Sequence, residues 1–106
     1  MKLRIDTHTH SIASGHAYST VDENLRWAAE KGLEMVALTD HGPGMKDTTG
    51  HAYFANLHVL PKELHGVKLL KGIELNIMDF EGDFRVFCVY FVYILPLFRL
   101  MRRMAF

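Results

Sequence analysis

Glu34-Met35-Val36-Ala37-Leu38-Thr39-Asp40-His41 decides the fold. Its nearly continuous apolar run is what a parallel strand covered on both faces requires, and it ends on two residues that can carry chemistry. Upstream, Thr20-Val21-Asp22-Glu23 has the capping-box pattern, in which the Thr20 hydroxyl and the Glu23 carboxylate satisfy free backbone donors at a helix start. The spacing predicts a helix to about Lys31 with Val21, Leu25, Ala28 and Ala29 on one face, ended by Gly32 in the left-handed conformation. Further upstream, Lys2 to Ile5 alternates polar and apolar residues and predicts a short strand running into a polar loop. Downstream, Gly42-Pro43-Gly44 breaks the chain, and Ala52 to Leu60 predicts a helix that Pro61 ends or interrupts. Val67-Lys68-Leu69-Leu70 predicts another strand, leading through Lys71-Gly72-Ile73 to Glu74. Strand, helix, strand, helix, strand is an α/β order, and a parallel sheet is expected.

The chain of 106 residues suits one small domain or part of one. Twelve basic and twelve acidic side chains cancel, so the charge balance lacks the footprint of a nucleic-acid binder. A single cysteine, Cys88, excludes an intrachain disulfide framework and suits a reducing, cytoplasmic setting. The opening Met1-Lys2-Leu3-Arg4-Ile5-Asp6 lacks the apolar run of a signal peptide, and secretion is not expected. The anomaly is histidine. All seven, His8, His10, His16, His41, His51, His58 and His65, fall in the first two-thirds of the chain.

His8-Thr9-His10 places two imidazoles at i and i+2 on a strand end, where side chains of one face recur with a period of two. Zinc and similar ions accept neutral imidazole nitrogen and carboxylate oxygen, so this pair is half of a coordination shell. His16 follows the small-residue loop Ser11-Ile12-Ala13-Ser14-Gly15, which is expected to be flexible enough to fold back over the strand end. Asp40-His41 and Glu74 also follow strands, and in barrels of such units the active site gathers at the carboxyl ends of the strands. Taken singly, His41 reads as a turn residue and Glu74 as a solvated carboxylate. Together with His8, His10 and His16 they make a five-residue nitrogen and oxygen set suited to metal. Asp6 and Asp40 are expected to orient liganding histidines rather than to bind metal themselves. His51, His58 and His65 are read as surface or satisfied residues. Arg4, Lys46 and Lys62 are read as solvated, and Ser14, Ser19 and Thr20 as loop and cap residues.

These residues resemble the PHP domain, the family of polymerase and histidinol phosphatases. Asp6-Thr7-His8-Thr9-His10 looks like its first motif, Thr39-Asp40-His41-Gly42 its second and Gly72-Ile73-Glu74 its third. Ala13-Ser14-Gly15-His16-Ala17-Tyr18-Ser19-Thr20 looks like the branch of small bacterial phosphatases that bind three zinc ions. The resemblance runs from about Lys2 to Asp83. It implies that His8, His10, His16, His41 and Glu74 are metal ligands, with Glu74 bridging two ions. It implies zinc, two or three ions in the complete site, with manganese an alternative. The family fold is a distorted seven-stranded (β/α) barrel, of which residues 1–83 would supply about three β/α units. A metal-dependent phosphoesterase acting on a small phosphorylated substrate follows, with clustered ions polarising the phosphoryl group and activating water.

Residues 84–106 depart from that pattern. Phe84 to Phe98 is a hydrophobic stretch rich in Val, Phe, Tyr and Ile, and the histidines and late Asp-His pair expected of later strands are missing from the sequence. A truncated or frameshifted coding sequence is the favoured explanation. The run between Arg85 and Arg99 is shorter than the roughly 20 residues that span a bilayer, so no transmembrane span is expected. A buried strand pair is a further reading of the same composition. The enzyme is expected to be weak or inactive in this form, and its oligomeric state is open. The alternative is a noncatalytic metal-binding or interaction module.

Overall fold

The computed structural model describes residues 2–43, 46, 48–76 and 88–89. Strand β1 (Ile5–Thr9) leads through a 3-10 turn, Ile12–Ser14, to helix α1 (Val21–Glu30) and strand β2 (Met35–Leu38). Helix α2 (His51–Asn56) tightens into a second 3-10 turn, Leu57–Val59, and is followed by β3 (Glu63–Leu64) and β4 (Val67–Lys71). These four strands form one sheet in the order β1-β2-β4-β3. Strand β2 is parallel to both neighbours, as its unbroken apolar run requires. Val36, Ala37 and Leu38 are all buried in succession, so both faces of β2 are covered. The described residues thus form an open α/β unit of four strands and two helices, not a closed barrel. Separately, β5 (Leu75–Asn76) pairs antiparallel with β6 (Cys88–Val89).

The expected capping box is present: Thr20 accepts from the Glu23 amide while the Glu23 carboxylate accepts from the Thr20 amide. At the other end Gly32 has φ 74°, and the Gly32 and Leu33 amides bond the Ala29 and Ala28 carbonyls, which closes α1 in a Schellman motif. Leu25 and Ala28 are buried, and Val21 and Ala29 pack against the same core, which also holds Val36, Leu38, Phe54, Leu57, Val67 and Leu69.

Three details depart from the sequence reading. Strand β1 begins at Ile5 rather than Lys2 and runs to Thr9, so His8 lies within the strand and His10 just past it. Its pairing with β2 shifts register between Asp6 and Thr9, a bulge-like extra residue that breaks the strict alternation assumed for Asp6 and His8. Strand β3, which the sequence reading lacks, forms an antiparallel hairpin with β4 across His65-Gly66. Both turn residues have positive φ, 54° and 78°, as a two-residue type I′ turn demands. The hydrophobic stretch of residues 84–106 lies outside the described residues apart from Cys88–Val89. No helix among the described residues is long and apolar enough to cross a membrane.

Candidate metal centre

The β2–β4 pairing outlasts its strands. The Gly72 amide bonds the Leu38 carbonyl, the Glu74 amide the Asp40 carbonyl and the Gly42 amide the Glu74 carbonyl, so His41 and Glu74 face each other as a parallel bridge. Strand β1 delivers His8 and His10 beside them. His16 arrives on the segment after Ile12–Ser14, and that segment is pinned rather than flexible. Ser11 caps the 3-10 turn by accepting from the Ala13 amide, and the Ile12 amide bonds the Ser19 carbonyl at 2.8 Å. Both Ser11 and Ser14 are buried and bonded to Asp40.

Four imidazoles therefore gather around one buried carboxylate. His8 Nε2 and His10 Nε2 are 2.8 Å apart and lie 3.3 and 3.1 Å from Glu74 Oε2. The other carboxylate oxygen, Oε1, is 3.3 Å from His41 Nδ1, and His41 Nε2 is 2.7 Å from His16 Nε2. Two groups result: His8, His10 and Glu74, and His10, His16 and His41, with the ligand atoms of each group within 4.8 Å of one another. Nitrogen and oxygen atoms bound tetrahedrally at zinc distances sit roughly 3.3 Å apart, so the first group has about the right span. His41 Nδ1 is buried and has no hydrogen-bond partner, which is costly unless something accepts its lone pair. Burial and the neighbouring His41 push the His10 pKa below its ordinary value, against the opposing pull of Glu74. Such a ring stays neutral and able to ligate.

Asp40, 1 % exposed, is the hub beneath this cluster. Its Oδ1 accepts from the Ser11 amide at 2.6 Å and the Ser14 hydroxyl at 2.7 Å; its Oδ2 accepts from the Ser11 hydroxyl at 2.7 Å and the Tyr53 hydroxyl. The Asp6 carboxylate accepts from the His8 backbone amide at 3.0 Å and so steadies the stretch of strand that carries that ring. Thr39, just past β2, ties that strand to β1 at this end, donating to the Thr9 carbonyl at 3.2 Å with its hydroxyl 3.3 Å from His8 Nδ1. His58 bonds the Ala55 carbonyl, His65 pairs with Asp22, and His51 opens α2, all apart from the cluster. Arg4 pairs with Glu34 at the surface.

The sequence reading assigned Ser11, Ser14, Thr39 and Tyr53 no supporting role in the site, although Ser14 and Thr39 lie in stretches that resemble the family. Tyr53 also lines an apolar cavity of about 400 Å³ with Val21, Ala52, Asn56, Leu57 and Leu60, which none of the clustered histidines lines.

The PHP domain family matches residues 6–97, a span that runs past Asp83. A probable phosphatase of Thermoanaerobacter sp. (strain X514) is 58% identical over 83 residues, which cover 78% of this chain and 34% of that protein. A probable phosphatase of Acetivibrio thermocellus is 56% identical over 82 residues, 77% of this chain and 34% of that protein. One from Shewanella amazonensis is 49% identical over 90 residues, 85% of this chain and 36% of that protein. The chain spans about a third of the length of the curated relatives it matches.

Proposed function

The chain belongs to the PHP domain family, and from that premise we propose that it carries the first five ligands of a metal-dependent phosphoester hydrolase, His8, His10, His16, His41 and Glu74. The observation that carries this reading is the position of Glu74, whose two oxygens face different histidines while the side chain is 3 % exposed. A carboxylate so placed can serve two cations at once, and imidazole nitrogen is a suitable ligand beside it. Zinc fits this donor set, with two or three ions in a complete site, and manganese is the alternative. When bound, such ions polarise a phosphoryl oxygen and acidify water. The chain's own residues supply the geometry: β1 presents His8 and His10, the β2–β4 pairing presents His41 and Glu74, and the pinned Ser11–Ser14 segment brings His16. Asp40 and Asp6 are assigned to support, Asp40 because an amide and hydroxyls engage both its oxygens and Asp6 because its carboxylate accepts from the His8 amide.

The four-stranded unit is read as the start of a distorted seven-stranded (β/α) barrel, with residues 1–83 as the partial domain and 84–106 as an atypical tail. The substrate is a small phosphorylated molecule, and turnover by this chain alone is weak or absent. The test is elemental analysis of purified protein together with release of nitrophenol from a generic phosphate ester, with zinc or manganese added. Metal with turnover establishes a working site, metal without turnover is the outcome expected of a ligand set whose catalytic cluster is incomplete, and no stoichiometric metal removes the reading.

A further inference from the structure

We propose that Ser14 is a positioning residue that sets the tautomer of His10, an inference that rests on His10 being a ligand. The argument is a count of protons. Asp40 receives four donors, two at each oxygen, which fills the acceptor capacity of an ionised carboxylate. The Ser14 hydroxyl has one proton, and it is committed to Asp40 Oδ1. Two further contacts of Ser14 Oγ, the His41 amide at 3.0 Å and His10 Nδ1 at 2.9 Å, must then be accepted by its lone pairs. The His41 amide is necessarily a donor. His10 must also donate, so its proton sits on Nδ1 and its lone pair on Nε2, the atom that faces His8 Nε2 and Glu74 Oε2.

The opposite tautomer would aim an N–H at the place a cation needs and leave Nδ1 competing with Asp40 for the single serine proton. The same oxygen that orients His10 also holds the backbone of His41, so one side chain couples the two histidine groups. A weaker version recurs at His8: the Thr39 hydroxyl gives its proton to the Thr9 carbonyl and faces His8 Nδ1 with a lone pair. Second-layer partners of this kind typically change metal affinity by about 10- to 100-fold when removed.

The experiment is zinc titration of the full chain and of Ser14→Ala and Ser14→Thr, joined to nitrogen-15 NMR of the metal-free histidine rings. In the unsubstituted protein His10 should show its proton on Nδ1. Ser14→Ala should lose that preference and bind zinc about 10- to 100-fold more weakly, while Ser14→Thr, which keeps the hydroxyl, should retain both. Should Ser14→Thr fail to fold by circular dichroism, the ring signals of the unsubstituted protein and Ser14→Ala decide. A His10 proton on Nε2 in the unsubstituted protein, or an unchanged preference and affinity in Ser14→Ala, overturns the assignment. Zinc binding absent from the unsubstituted protein would instead sink the metal reading itself, and the tautomer signal would then be judged alone.

Discussion

Asp40 and Glu74 are both buried carboxylates at the ends of parallel strands, yet they differ in what remains free to accept. Every lone-pair site of Asp40 is taken by a protein donor, whereas Glu74 turns its oxygens to imidazole nitrogens. Removing one donor from Asp40 should therefore cost stability without removing a ligand. Tyr53→Phe is expected to lose about 1.5–3 kcal/mol, the worth of a hydrogen bond to a charged group, and to leave zinc stoichiometry unchanged in elemental analysis. Burial first, and then the bond to Asp40, push the Tyr53 pKa upward. The unfolded phenol ionises near about pH 10 while the folded one resists, so this contribution is present below about pH 10 and is lost as pH rises toward the folded value. Denaturant midpoints should accordingly fall in alkali for the unsubstituted protein and fall less for Tyr53→Phe. Equal slopes in both would show that Tyr53 does not titrate as its contacts demand.

At the scale of elements, what was legible in the sequence was whatever one segment declares alone. Helix α1 announces its start with Thr20 and Glu23, its buried face with Leu25 and Ala28, and its end with Gly32, and all three are in place. Strand β2 announces itself by being apolar throughout. The hairpin was missed because β3 has only two residues and its turn uses His65, a residue that tolerates positive φ less commonly than Asn or Gly. The pinned segment was read as flexible because small residues look alike until their partner, Asp40, arrives from another strand. The α1 cap can be tested directly: Thr20→Ala removes the acceptor for the Glu23 amide and should cost about 1 kcal/mol by chemical denaturation. Glu23, held below its ordinary pKa first by the Thr20 amide and then by its hydroxyl, contributes above the unfolded carboxylate pKa and is lost as acid protonates it. Thr20→Ala keeps the amide bond and loses the hydroxyl's, so its cost should shrink modestly at low pH; a cost independent of pH would mean that the hydroxyl does not bond the carboxylate.

For the molecule as a whole, the proposed ligands come from four places in the chain: β1, the segment after it, the end of β2 and the end of β4. Their residue types and strand-end positions were readable, because a parallel α/β order brings carboxyl ends together whatever lies between them. Their mutual distances were not, since these depend on the register of β2 against β4 and on the bulge in β1. A cation held by that set would tie all four segments and bind only the folded chain, so it should stabilise the fold by mass action. With free zinc at about 100 times its dissociation constant the gain should be about 2.7 kcal/mol, and each kcal/mol raises the melting temperature of a domain this small by about 4–8 °C. A chelator should reverse the rise, and acid below about pH 6.5 should erode it, because protons compete with metal for imidazole. His8→Ala and His41→Ala each take a ligand from a different strand. If both variants keep the full zinc-dependent rise, the ion is held elsewhere and the four segments do not share a site; if both lose it, the same ion set that would serve chemistry also helps to fasten β1 to the rest of the sheet.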